Sequence, residues 1–288
     1  MFTTTNKKVI LIVIGLFFFF TSNSQNVQDS AKNEITASVN YQSALHYFGR
    51  VDSLKSSGVF PVLGLKSKIG VYLNSTFIFI QNPASSLNYT GTILEGGYRF
   101  PYSKNFSGNI YYDHFLYQDK SVLVQSALKG QAGINTTYNN EIVNVNAGGD
   151  VKFSNSQTDF GLTAGLDKLF LIKNVIENAV IAFNPSAYVY SGTHNYFQNV
   201  KNNRGQSLGG LLGTNSSNNS TSLQQAKQFE ILAYEVSMPM VLVIGKFNAY
   251  VSPAYVLPQN LVTVNGRPDL SEKGQNLFYF SAGVGVKL

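Results

Sequence analysis

Apolar and polar residues alternate one by one through most of the chain. In "LFYFSAGVGVKL" (277–288), Phe278, Phe280, Ala282, Val284, Val286 and Leu288 share one parity, and Tyr279, Ser281, Gly283, Gly285 and Lys287 the other. A period of two belongs to the β-strand, whose successive side chains leave opposite faces of the pleat. "EITASVNYQ" separates Ile35, Ala37, Val39 and Tyr41 from Thr36, Ser38, Asn40 and Gln42 in the same way. "VNVNAGGDVKF", "FGLTAGLDKLF", "AVIAFNPSAYVY" and "KFNAYVSPAYV" repeat the pattern. About twelve such segments are predicted, near 34–43, 59–66, 69–80, 88–100, 107–117, 127–138, 141–153, 159–170, 179–190, 229–239, 245–256 and 277–288, with ten or fourteen as alternatives.

Most segments have about ten residues, the length that a tilted strand needs to cross a bilayer. The connections between them alternate in length. Short ones fall at 66–68, 101–106, 139–140 and 240–244, with a slightly longer one at 171–178. Longer ones fall at 44–58, 191–228 and 257–276, with shorter members of that set at 81–87, 118–126 and 154–158. Tight turns at one end and long loops at the other predict an all-β, antiparallel up-and-down barrel of the outer membrane, its short turns periplasmic. A closed barrel also leaves no unpaired strand edge in hydrocarbon, so the last strand must pair antiparallel with the first. The Asn-, Ser- and Gly-rich stretch 202–222 reads as a loop tip within this single domain.

Composition sharpens the choice between a membrane barrel and a soluble β-sandwich. Charged residues make up 12% of the 288 residues, about half the usual share of roughly 25%. Mean hydropathy is nonetheless close to zero, at −0.02. The polar parities carry Gly, Ser, Thr, Asn and Tyr where a sandwich would show Lys and Glu to water. Aromatic residues are 17 Tyr and 21 Phe with no Trp, so any aromatic belt is built from these two. Cysteine is absent, which removes disulfides, thiol nucleophiles and Cys-based metal sites. The basic residues are scattered, so no nucleic-acid footprint is expected.

At the N-terminus, Lys7 and Lys8 precede twelve residues, Val9 to Phe20, that form an apolar core, and small polar residues follow it. That is the layout of a secretory signal peptide, and residues 1–25 are expected to be removed, leaving 26–288 as the barrel domain. Removing Lys7 and Lys8 lowers the net charge from +6 to +4.

The candidate functional residues are charges that parity turns inward: Glu95, Arg99, Asp150, Lys152, Asp167, Glu235 and Lys287. A Lys or Arg on the lipid face near mid-membrane costs roughly 2 to 4 kcal/mol, so energy and parity agree. These groups would form either a structural salt-bridge network or the lining of a solute path. The histidines are His46, His114 and His194. His46 and His194 fall in long connections, and His114 is separated from its neighbour Asp113 by the pleat, so no acid–base couple is formed. No catalytic, cofactor-binding or metal-ligating set is read, and no cofactor is expected. Pro185 and Pro253, in the similar stretches 184–192 and 251–259, predict bends in their strands.

"YFGRVDSLKSSGVFPVLGLKSKIGVYLNSTF", "EGGYRF…KNFSGNIYYD" and the terminal "FYFSAGVGVKL" resemble small outer-membrane β-barrel proteins of Bacteroidota, over nearly the whole mature chain. The resemblance implies a fold and a location, and it carries no functional residue across. The chain departs from barrel habit in ending on Leu288, where an aromatic residue is common. The expectation is a non-enzymatic outer-membrane barrel: a narrow solute pore, or a structural or interaction protein with long surface loops. A surface barrel hydrolase acting on lipid or peptide, and an adhesin or subunit of an outer-membrane complex, are the alternatives. The expected partners are outer-membrane lipid, the barrel assembly machinery and a small solute.

Overall fold

The structure, a computed structural model, describes residues 32–51, 55–100, 103, 105–117, 128–154, 157–173, 179–193, 228–261 and 274–288. Twelve strands form one ring in chain order. They are β1 Glu34–Gln42, β2 Ser57–Lys66, β3 Val71–Asn82, β4 Ser85–Arg99, β5 Phe106–Tyr117, β6 Leu128–Tyr138 and β7 Asn144–Ser154. β8 runs through Thr158–Asp167 and Phe170–Lys173, β9 through Ala179–Phe183 and Ser186–Gly192, and β10 through Glu230–Ser237 and Met240–Ile244. β11 is Phe247–Pro258 and β12 is Leu277–Lys287. Every neighbouring pair is antiparallel. The ring closes where β12 meets β1, with Thr36 opposite Lys287 and Gln42 opposite Ser281. All twelve predicted segments are present.

One predicted connection, 240–244, is strand instead, and the predicted connection 171–178 is strand over its first three residues. Residues 240–244 continue β10, and its turn is Gly245–Lys246; residues 170–173 continue β8. The first of these lies next to Pro239. The sequence suggests an end at Pro239, yet its carbonyl accepts from the Asn184 amide at 2.9 Å, while the Pro185 carbonyl accepts from the Lys168 amide at 3.2 Å and the Pro253 carbonyl from the Met238 amide at 3.0 Å. Each proline lacks a donor but keeps an acceptor, and the ladder steps across the break. Pro185 and Pro239 interrupt their strands, whereas β11 runs unbroken through Pro253. The connection at 81–87 likewise shrinks to two residues, Pro83 and Ala84.

The outer face is apolar. Leu63, Leu73, Leu162, Phe278 and Val284 all stand more than half exposed, at 52 to 63%. In water this would be a large sticky surface; in lipid it is the solvated face. Tyr41, Tyr89, Phe153, Phe160 and Phe278 mark the outer face toward the long-loop end, and Phe106, Tyr138, Phe170 and Phe247 toward the other. These are the Tyr and Phe belts of an outer-membrane barrel. The protein is an integral outer-membrane β-barrel.

The inner face has two devices. First, four inward tyrosines each lie over a glycine directly across the ladder: Tyr72 on Gly97, Tyr111 on Gly133, Tyr188 on Gly165 and Tyr250 on Gly283. A methyl group on any of these glycines would collide with the ring. The glycine leaves a gap in the pleat and the ring fills it.

Second, the connection between β1 and β2 folds into the barrel mouth. His46–Tyr47 pairs with Arg50–Val51 in a small hairpin. Its turn residues Phe48 and Gly49 both have positive φ, 51° and 76°, the geometry of a tight two-residue hairpin turn. Leu45 packs with inward Phe60, Ile78 and Ile80, and Tyr47 with Phe115 and Leu128. This explains the unbroken apolar run Phe77 to Ile80: one parity meets lipid and the other meets the hairpin.

Candidate functional site

Below the hairpin the inner wall is polar. Among the candidate residues, Glu95, Lys152, Asp167 and Glu235 are buried, and Asp150 and Arg99 are partly buried. Their strands bring them to the inside, but not into one network. Asn74 Nδ2 donates to Glu95 Oε2 at 3.0 Å. The Arg99 guanidinium lies over the Tyr72 ring at 5.2 Å, and Asn109 Nδ2 donates to Tyr72 Oη at 3.1 Å. Lys152 and Asp150 form an ion pair within β7. Asp167 accepts from Asn144 Nδ2 at 3.0 Å and from Asn146 Nδ2. Lys287 sits apart at the short-turn end, its Nζ 2.7 Å from Glu34 Oε1, with Lys66 4.0 Å from the same carboxylate.

Sequence reasoning passed over Asp113. It considered that residue only as a partner for His114, and the two do lie on opposite faces. Asp113 is 3% exposed and directly opposite Glu95 across the β4–β5 ladder, while His114 faces outward. Inward parity alone would have found it. Among the described residues, Asp113 Oδ1 is buried without a hydrogen-bond partner. Glu34 and Asp159 are further inward acids; Asp159 Oδ1 accepts from Thr193 Oγ1 at 2.6 Å.

Glu235 lies on the other wall. It is 5% exposed, and Tyr279 Oη donates to its Oε2 at 3.2 Å. It borders a pocket of about 60 Å³ lined by Tyr188, Tyr190, Tyr250 and Tyr279, by Ser186, Ser237, Ser252 and Ser281, and by Gln42 and Asn184. That volume holds a few waters or a small head group.

The hairpin closes over this pocket. The Phe48 ring is 5.0 Å from Tyr190, and the His46 ring meets Tyr279 edge-on at 4.3 Å. Arg50 anchors the hairpin, being only 3% exposed. Its Nη1 donates to the carbonyls of Leu232 at 3.0 Å and Phe48 at 3.2 Å, and its Nη2 to that of Gln259 at 2.9 Å. His46 therefore lies inside the barrel, not in the exposed loop that its position in the sequence suggests. Burial holds its imidazole down to about 4, where the ring is neutral at physiological pH. Its Nδ1 accepts from the Gly49 amide at 3.2 Å, and its buried Nε2 has no partner among the described residues. His194 and the stretch 202–222 lie outside the described residues.

No family model matches the chain, and no curated protein matches it. Among solved structures, the KdgM porin shares 11% identity at a TM-score of 0.43, covering 88% of this chain and 98% of its own. The NanC porin shares 10% identity at 0.43, covering 88% and 100%. LpxR from Salmonella typhimurium shares 9% identity at 0.43, covering 87% and 99%. The likeness is one of general barrel shape and brings no activity with it.

Proposed function

We propose that this protein is a non-enzymatic, narrow pore for small solutes, closed at its long-loop mouth by the 46–51 hairpin. One observation carries the reading: the stopper is a loop tethered by side-chain bonds above a polar lumen, not a solid core filling the barrel from end to end. A barrel with a purely structural role would gain from packing its whole interior with apolar side chains. Here the apolar packing is confined to the hairpin's level, and polar groups occupy the rest. Glu95, Asp167 and Glu235 are held by neutral amides and a phenol, which sets acidic groups along the inner wall.

In this reading residues 1–25 are an export signal, the short turns face the periplasm, and the assembly machinery inserts the chain. The resemblance noted above is what supports reading it as one of the barrels of Bacteroidota. The test is planar-bilayer conductance with purified, refolded protein. Wild type should give small, infrequent openings, and Arg50→Ala should open more often and for longer. Absence of current through both proteins, with folding verified by heat-modifiable gel mobility, would overturn the proposal.

A further inference from the structure

Three inward cations gather at the short-turn mouth, beside the seam where β12 meets β1. Glu34, Lys66, Tyr72 and Gly97 stand directly opposite one another on β1 to β4 and form one row across the wall. Lys287 on β12 is opposite Thr36, the next inward residue after Glu34. Arg99 is the next inward residue after Gly97 on β4. The Tyr72 ring lies over Gly97 and carries the Arg99 guanidinium at 5.2 Å. Lys287 Nζ is 2.7 Å from Glu34 Oε1, Lys66 Nζ is 4.0 Å from Glu34 Oε2, and Arg99 lies within electrostatic range of the same carboxylate. A clasp across the seam needs one lysine for one carboxylate. Three cations share this one, which leaves two positive charges in excess. Among the described residues, the Arg99 guanidinium makes no hydrogen bond and no ion pair, so its five N–H donors are unspent. Lys68 and Lys246, exposed in the β2–β3 and β10–β11 turns, add charge of the same sign.

We infer that this mouth binds a small, doubly charged oxyanion of the phosphate class, held by the Arg99 fork and by Lys66, which swings from Glu34 to reach it. A guanidinium presents paired N–H donors that match two oxygens of a phosphate, and a lysine adds a mobile point charge. Lys66 is free to move: its side chain is 39% exposed and its contact with Glu34 is long, at 4.0 Å. Asn109 Nδ2 fixes the Tyr72 phenol at 3.1 Å, so the ring under the guanidinium stays in place. A mouth lined by one sign of charge between low-dielectric walls also concentrates the opposite ion. A cation would be repelled, a neutral sugar would leave the surplus unmatched, and a single carboxylate would match half of it. Parity turns all three cations inward, so the ligand is a free solute in the lumen mouth and not a lipid head group, which meets the outer face.

As a statement about transport, the inference rests on the pore reading, because it names a solute met at the short-turn mouth. As a binding site it is measured without any current. The folded barrel in neutral detergent micelles is dialysed to equilibrium against radiolabelled inorganic phosphate at about pH 8, where phosphate is doubly charged, with ionic strength held constant by sodium chloride. One saturable site per chain is expected. Arg99→Gln should weaken it about tenfold or more, and Lys66→Gln several-fold. Lys129→Gln, at the long-loop end of β6, should leave it unchanged. Glu34→Gln should tighten it several-fold, because it removes the carboxylate that competes for the same cations. If Arg99→Gln does not fold, Lys66→Gln and Glu34→Gln decide the matter. No saturable binding, equal binding by the Arg99, Lys66 and Lys129 variants, or weaker binding by Glu34→Gln would overturn the oxyanion site. Loss of binding when phosphatidylglycerol is added to the micelles would assign the cations to a lipid head group and overturn their place in the lumen. A barrel that binds phosphate but never conducts keeps the site and loses the pore. One that conducts but does not bind keeps the pore and loses the site.

Discussion

Leu162→Arg and Val145→Arg place the same charge on the same outer surface at two depths, and the barrel geometry sets the difference between them. Leu162 is 55% exposed on β8 and Val145 47% exposed on β7. Leu162 lies opposite Gly149, four residues along β7 from Val145. At about 3.4 Å per residue and a strand tilt of roughly 40°, four residues correspond to about 10 Å along the membrane normal. Val145 is one residue from the short-turn end of its strand, so it sits at that interface, and Leu162, about 10 Å further in, lies within an apolar band about 25 Å tall. An arginine at mid-depth costs about 2 to 4 kcal/mol and one at the interface about 0 to 1. The expected gap is therefore about 2 to 3 kcal/mol, some 30- to 150-fold in the unfolding equilibrium. Guanidinium titration of each variant refolded into vesicles would read it, with heat-modifiable mobility as the check that each barrel forms. Equal costs, or a larger cost at Val145, would refute the assigned depth of β7 and β8 and with it the proposed seating of the barrel.

Three further outcomes are expected. His46 is held down to about 4 by burial, against an ordinary 6.5. Docking of the hairpin is then at full strength above about pH 6.5 and weakens as pH falls from there toward 4, because the undocked loop binds the extra proton; amide protection at Leu45–Arg50, taken relative to the intrinsic exchange rate at each pH, should fall at pH 5 in wild type but not in His46→Gln, and identical profiles would count against it. Removing residues 277–288 takes away the strand that bonds both β11 and β1, so no heat-modifiable barrel should form; a folded truncation would disprove closure by this strand. Tags in 191–228 should be labelled on intact cells and tags in 101–106 should not, and the reverse result would invert the topology.

The outer face of the barrel was legible in the sequence because it depends on parity alone. Ile35, Val145, Leu162 and Phe278 fall where alternation puts them, and lipid on one side enforces it. The inner face was legible only in part. Parity brings Glu95, Asp150 and Glu235 inside, but it does not say that Asp150 finds Lys152 or that Glu235 finds Tyr279. Those outcomes depend on which strands face each other across the lumen. The hairpin was hidden for the same reason. Arg50 reaches the carbonyl of Leu232, 182 residues away, and no local pattern around Arg50 signals that contact. The run Phe77 to Ile80 was the one clue, since a strand that alternates elsewhere and turns apolar on both faces must touch something inside as well as outside.

The tyrosine–glycine pairs have a bearing on how wide the passage can be. A barrel's diameter is commonly set by its number of strands, a quantity that changes only by whole hairpins. Here the width of the lumen also depends on how flat four rings lie, and each ring lies over a partner that lacks a side chain. A single Gly→Ala exchange at position 133 or 165, where the nearest atoms to the added carbon are those of the ring, would tip that ring toward the axis and narrow the lumen by a fraction of a ring's width. Tyr→Ser at position 72, 111, 188 or 250 would widen it by a comparable step. Twelve strands fix the frame, and these four pairs act as separate shims within it, allowing the calibre to be graded one residue at a time.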